Sequence, residues 1–465
     1  MADNNVVPVE LGTEKISRLL KKYAVPAIIA MTASSLYNMV DSIFIGQGVG
    51  ALAISGLAVT FPLMNLSSAF GTLVGIGAAT LLSILLGQRN YEASNKVLGN
   101  IVSLNIIIGF LFMAVAIIFL DPILYFFGAS ENTIGYAREY MQIILYGNII
   151  THLYFGLNNA MRSSGNPKKA MALTLFTVIF NTLLDPVMIF WFDMGIKGAA
   201  WATVISQAIA TIFVMFHFSD RSKVLHFEKG IIRLDIRIAK ESLAIGFGPF
   251  LMNSAACLVT LFINQQLRKY SGDLGIGAYG INNRLVFMFV MICMGLNQGM
   301  QPIAGYNYGA RLYSRVQKVY VITAKMATVV TTMCFLVAVL VPQYAVSIFT
   351  HDPELVSMSA KGLTVMNLAF PIVGFQMIST NLFQCLGMVH KSIFLSLTRQ
   401  ILFLIPLLYV MPLIFDSKGI WMSFPIADFL SFILTAIMLA RLLKKFSQMK
   451  DGDDPALLGR QIIGG

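Results

Sequence analysis

The sequence predicts an all-α membrane protein of about 12 transmembrane helices, arranged as two parallel-repeat six-helix bundles with both termini cytoplasmic. Three observations predict it. Of the 465 residues, 57% are hydrophobic and only 12% are charged, whereas soluble proteins carry roughly a quarter charged residues. Uncharged runs such as 101–120 (IVSLNIIIGFLFMAVAIIFL) follow one another along the chain, and each reaches the ~20 residues that cross a bilayer core. The chain also repeats itself at one constant offset, the one that lays Tyr91 on Tyr313.

Hydropathy and turn residues divide the chain into spans at 23–46, 53–86, 98–120, 135–160, 169–192, 198–218, 240–267, 275–308, 318–342, 355–386, 391–415 and 419–443. Breaks fall in polar, glycine- or proline-bearing stretches: GQRNYEASNK (87–96), RSSGNPKK (162–169) and YGARLYSR (308–315). The stretch before the first span is polar, with Lys15, Arg18, Lys21 and Lys22. The apolar run that follows is too long for the core of a cleavable signal, so it is expected to remain as the first span. Cys257, Cys293, Cys334 and Cys385 sit singly in apolar runs, with no metal-binding spacing, and are read as small packing residues.

Charge fixes the orientation. Of the 33 lysines and arginines, 24 lie on the side of the two termini, 6 on the other side, and Arg284, Lys325 and Arg399 within spans. Positive loops stay cytoplasmic. The net charge of +11 therefore faces the anionic inner leaflet, and nucleic-acid binding is excluded. An integral plasma-membrane protein of a bacterial inner membrane, acting as a monomer, is expected.

The duplication rests on loop residues rather than on apolar coincidence. Gly87, Tyr91, Lys96 and Val97 meet Gly309, Tyr313, Lys318 and Val319, and Asn159, Gly165 and Lys169 meet Asn381, Gly387 and Lys391. Six spans per repeat is an even number, so both halves enter from the same side. The expected division is an N-terminal bundle over 1–218, a basic cytoplasmic linker over 219–239, and a C-terminal bundle with its tail over 240–465. Parallel repeats of this kind are a transporter architecture.

Three features carry a resemblance to a family: the segment GLNQGMQPIAGYNYGA (295–310), the NxxxDP pattern of Asn181, Asp185 and Pro186, and Asp41 on a span that contains Pro26. With the two six-span halves, the chain resembles the multidrug and toxic compound extrusion (MATE) transporters over nearly its whole length. It is most similar to the bacterial branch with coupling acids in the N-terminal half. The resemblance implies a V-shaped pair of bundles that exports organic, often cationic, compounds in exchange for H+ or Na+. The coupling ion would be the only cofactor.

Charged residues in a bilayer are costly and call for an explanation. Asp41 lies about 18 residues into a span that starts inside, Asp185 about 16 into another, and Thr203 about 5 into a span that starts outside. All three reach the outer half of the membrane. Tyr37 with Asp41, and Asn181 with Asp185, are i,i+4 pairs and share helix faces. Pro186 leaves a backbone carbonyl free one turn earlier. Low-dielectric surroundings and a neighbouring acid both penalise ionisation, so one proton could be exchanged here. Alternatively Asp41, Asp185, Asn181 and Thr203 could hold Na+. The resemblance points to the same five positions: Tyr37, Asp41, Asn181, Asp185 and Thr203. Pro26 is the expected hinge.

At the offset of the repeat, Asp41 and Asp185 meet Ile263 and Leu407, so the second half lacks the acids. Gln298, Gln301, Arg284 and Arg399 are the expected substrate-cavity residues, with Arg399 alternatively balancing Asp428. His152 is expected to be a packed, hydrogen-bonded residue rather than a proton carrier, and Lys325 to snorkel to the cytoplasmic face. The 26 methionines and 34 phenylalanines suit an adaptable apolar wall. A flippase for a lipid or lipid-linked saccharide is the alternative function, though it would want a more cationic cavity. A receptor or channel fits the duplication less well, and no nucleophile–base pair or phosphate-cradling loop suggests an enzyme.

Overall fold

The computed structural model describes residues 9–228, 234–350 and 352–454, and among these it contains helices and turns but no strand. In a bilayer this follows from hydrogen bonding, since a helix satisfies its backbone groups internally where no water can. A single turn, α1 (Glu10–Thr13), precedes α2 (Ile16–Gly48), α3 (Ala51–Gly87), α4 (Tyr91–Ile118), a short α5 (Leu120–Phe126), α6 (Ile134–Tyr146), α7 (Asn148–Ser163), α8 (Pro167–Pro186) and α9 (Ile196–Ser219). Then come α10 (Ile236–Gly309), α11 (Tyr313–Leu340), a short α12 (Pro342–Ser347), α13 (Pro353–Met366), α14 (Phe370–Cys385), α15 (Val389–Leu397) and α16 (Ile405–Gln448). α10 is two helices joined at Gly272 (φ 63°), and α16 is broken at Asp416. Among the described residues, 8 helical stretches are long and apolar enough to cross a membrane, or 9 if α13 and α14, bent by 55°, count as one span.

The repeat reappears in the element boundaries. Both α4 and α11 are 28 residues long, and both α7 and α14 are 16. The two pairs start at the same offset, at Tyr91 and Tyr313 and at Asn148 and Phe370. The turns correspond as well. Arg89 and Arg311 take φ values of 60° and 58°, and Gly165 and Gly387 take 92° and 65°. A positive φ at two arginines costs energy, so the shared turn outweighs the residue preference in both halves.

Several expected boundaries shift. The helix expected from 23 begins at Ile16, and that expected from 98 begins at Tyr91. Hydropathy marks where lipid starts, while a helix continues through its polar first turns. The spans expected at 135–160 and 355–386 are each two helices. Gly147 ends α6 because a Cβ there would collide with Val204. At 367–370, Pro371 has no N–H to give the Asn367 carbonyl, which instead accepts the Phe370 amide at 2.9 Å and tightens the turn.

Tertiary packing divides the described residues into two compact units, one of residues 9–13 and 29–250, the other of residues 14–28 and 251–454. In the first unit, apolar clusters form around Ile45, Tyr140, Ile189 and Val204 and around Leu63, Leu124 and Met141. The segment after α9 is held along α4. Asn95 accepts the His226 amide at 3.2 Å, and Asn100 clamps Asp235 by accepting its amide and donating to its carbonyl, each at 2.9 Å. The Asp235 side chain then caps the start of α10. In the second unit one large cluster gathers Val259, Ile263, Val286, Phe370, Leu408 and Trp421.

Candidate functional site

In the first unit, α2, α8 and α9 bring Tyr37, Asp41, Asn181, Asp185 and Thr203 together. Thr203 donates to the Ala199 carbonyl one turn back at 3.2 Å. Its oxygen then accepts from the Asn181 amide at 3.2 Å and from the Tyr37 hydroxyl at 2.9 Å. Because the Asn181 nitrogen is turned to Thr203, its oxygen faces the other way. Asp41 is buried, not solvated near a helix end, and Asp185 is fully enclosed. Their carboxyls lie within hydrogen-bonding reach of one another.

The site is rich in acceptors and poor in donors. Asp41 Oδ1, Asn181 Oδ1 and both oxygens of Asp185 are buried without a hydrogen-bond partner. Orphaned buried acceptors are costly, and an unpaired buried carboxylate more so. Two carboxyls in mutual contact need a proton or a cation between them. The oxygen set suits either, since hard cations take oxygen ligands. Beyond Asp185 and Pro186 the helix widens into a π turn, Val187–Trp191, a distortion common at functional sites.

Tyr140, from α6, also lies within electrostatic reach of both acids and is buried in the adjoining apolar cluster. The sequence reading passed over it, because a tyrosine near the start of a span reads as an interfacial anchor.

The second unit has no equivalent of this cluster. In the repeat, the counterparts of Tyr37, Asp41, Asn181 and Asp185 are Val259, Ile263, Phe403 and Leu407. Val259 and Ile263 belong to its apolar core, and Phe403 and Leu407 pack against that core. One copy of the repeat carries the polar chemistry where the other is packed with hydrocarbon.

Other candidates fall elsewhere. Arg399, in the π turn Thr398–Leu404, gives its Nε to the buried Asp428 in an ion pair, which is the balancing role rather than an unpaired cationic one. Arg284 is exposed and Gln301 buried, while Gln298 is half-buried. His152 is enclosed, with Nε2 donating to the Ser67 carbonyl at 2.9 Å. Ser67 in turn bonds Asn148, which donates to the Gly109 carbonyl at 3.3 Å. This packed role is the expected one.

The Arg399–Asp428 pair yields a stability prediction. Breaking a buried pair usually costs about 3–5 kcal/mol. The Arg399 side chain is 32% exposed, so Asp428→Asn alone should cost only about 2 kcal/mol after that discount. Arg399→Gln combined with Asp428→Asn should recover at least half of it. Thermal unfolding of the four proteins in detergent measures the coupling, and additive losses would disprove it.

Residues 26–187 and 244–410 match the MatE family profile. The chain belongs to the MatE family. The two matched segments correspond to the two halves of the repeat. Curated relatives are named multidrug export protein MepA. The protein from Staphylococcus saprophyticus is 28% identical over 422 residues, covering 91% of this chain and 93% of that one. The protein from Staphylococcus aureus is 28% identical over 429 residues, covering 92% and 94%. Among solved structures, one described as the MATE multidrug transporter DinF-BH in complex with a cationic dye is 36% identical, with a TM-score of 0.87 and coverage of 94% and 98%. An outward-facing MATE transporter at 20% identity, with a TM-score of 0.88 and coverage of 96% and 100%, shares the fold. These likenesses place the MatE chain among membrane-spanning proteins with multidrug-export relatives.

Proposed function

We propose that this MatE-family chain is a secondary active antiporter, exporting organic, cationic compounds in exchange for H+ or Na+ by alternating access. The observation that carries the reading is the set of buried, partnerless acceptor oxygens on Asp41, Asn181 and Asp185. Such a set is unfavourable when empty of positive charge. It therefore takes up a proton or Na+ from outside and gives it up when the surroundings change. The relatives named for multidrug export, and the 36%-identical transporter in complex with a cationic dye, support an organic cation as cargo.

In this mechanism the ion and the cargo compete. A carboxylate without its ion favours a cationic substrate nearby, and the ion, once bound, cancels that attraction. Ion binding draws Asp41 and Asp185 together, and the resulting strain on α2 is relieved around Pro26, a point where the helix lacks one backbone hydrogen bond. Twelve spans, cytoplasmic termini, a bacterial inner-membrane location and a monomeric state complete the proposal.

Efflux of a fluorescent cation from proteoliposomes, under an imposed pH gradient or Na+ gradient, tests it. Drive by one gradient identifies the ion, and no drive by either across several cationic dyes overturns antiport. Tyr140→Phe should slow that efflux about fivefold, the effect of losing one hydroxyl worth about 1 kcal/mol beside the acids. An unchanged rate would remove Tyr140 from the site.

A further inference from the structure

The two halves differ at the start of their third long helix. In the first half Asn90 caps α4, accepting the Ala93 amide at 3.1 Å. Its counterpart in the repeat is Leu312, which has no side-chain acceptor, and α11 receives no cap from its own segment. Uncapped first-turn amides are costly to leave unpaired. The missing cap comes from beyond α16. Asp451 Oδ1 accepts the Ser314 amide at 2.9 Å, and Oδ2 accepts the Ser314 hydroxyl at 2.5 Å. The Ser314 amide is the second of the helix, the position an N-cap side chain normally serves. The negative carboxylate also suits the positive end of the helix dipole.

Two further bonds fasten the same tail. The Gly452 amide donates to the Arg311 carbonyl at 2.9 Å, and the Tyr313 hydroxyl donates to the Asp453 carbonyl at 3.0 Å. The turn requires φ of +102° at Gly452, which glycine alone adopts readily. Arg315, the residue after Ser314, reaches in the opposite direction. Its Nη2 donates to the Glu14 carbonyl at 2.7 Å, just before α2, and its Nε to Asn307 at 2.8 Å. The first turn of α11 is thus held by the tail on one side and itself holds the foot of α2 on the other. All these residues belong to the second unit.

We propose that Asp451–Gly452–Asp453 is a cytoplasmic strap that replaces the cap lost at Leu312 and, through Arg315, steadies the foot of α2, the helix that carries Pro26 and Asp41. Hydrogen exchange on the full-length protein in lipid nanodiscs tests it. Asp451→Ala should speed exchange of the 314–316 amides about 2- to 30-fold, the range of a lost N-cap, and speed exchange at 16–20 as well. Asp451→Asn, which keeps an acceptor oxygen, should stay near wild type. Adding Leu312→Asn to Asp451→Ala installs the cap that Asn90 gives the first half, and should restore protection at both places. Unchanged exchange at 314–316 in Asp451→Ala, or a rise that Leu312→Asn fails to reverse, overturns the strap. A rise at 314–316 with none at 16–20 overturns its hold on α2.

Discussion

Asp185→Asn is expected to reduce gradient-driven efflux of a cationic dye at least about tenfold, a loss of about 1.4 kcal/mol or more in ion binding, while leaving the protein as stable as wild type or more so. The two effects have one cause. Both Asp185 oxygens are buried without a partner, so the ionised side chain is held in surroundings that disfavour charge. That cost makes the site responsive to a proton or cation. Asparagine keeps the shape and removes the charge, which relieves the cost and ends the exchange. Asp41→Asn should act in the same direction. It should have a smaller effect on stability, because only one Asp41 oxygen is partnerless and buried. The measurement pairs proteoliposome efflux with thermal unfolding for each variant. Full efflux in both single variants would remove the carboxylates from the coupling step. Lost efflux with a large fall in stability would instead mark them as structural.

This site was legible in sequence because it breaks a strong pattern. An aspartate in an apolar run must be explained, and i,i+4 spacing places Tyr37 beside Asp41 and Asn181 beside Asp185 before any tertiary contact is known. The repeat was legible for a similar reason, since glycines, tyrosines and lysines in loops resist coincidence. Tyr140 was hidden because its side chain is unexceptional at a span start, and only packing brings it to the acids. The bends at Gly147 and at 367–370 leave no dip in hydropathy. They arise from close approach and from the amide missing at Pro371. The Asp451 cap joins residues 137 positions apart, with no local signal except that Leu312 stands where its counterpart is Asn90. Sequence thus revealed what is chemically unusual, while contacts between ordinary residues needed the fold.

Gly246→Ala is expected to cost about 3 kcal/mol or more, on the scale of severe overpacking, and to prevent recovery of folded protein at normal yield. A Cβ at Gly246 would fall on the Leu73 carbonyl oxygen and lie 3.1 Å from the Leu73 Cα. Directly alongside, a Cβ at Gly77 would lie 2.8 Å from the Gly246 amide nitrogen. The obstacle in each case is backbone, which cannot swing aside as a side chain would. Helices in lipid gain little from burying apolar surface and depend on close packing, which small residues permit. The second unit repeats the device at the corresponding positions. Cβ atoms at Gly295 and Gly299 would meet the Ile28 and Ala24 Cα atoms at 2.6 and 2.5 Å. Gly280 supplies the contrast. It lies in the same helical stretch, α10, with no atom within 4 Å of its added Cβ. Gly280→Ala should therefore stabilise by up to about 1 kcal/mol through helix propensity alone. Thermal unfolding of both variants in detergent compares opposite signs for one substitution. If Gly246→Ala unfolded at the wild-type temperature, α3 and α10 would not meet backbone to backbone at this crossing.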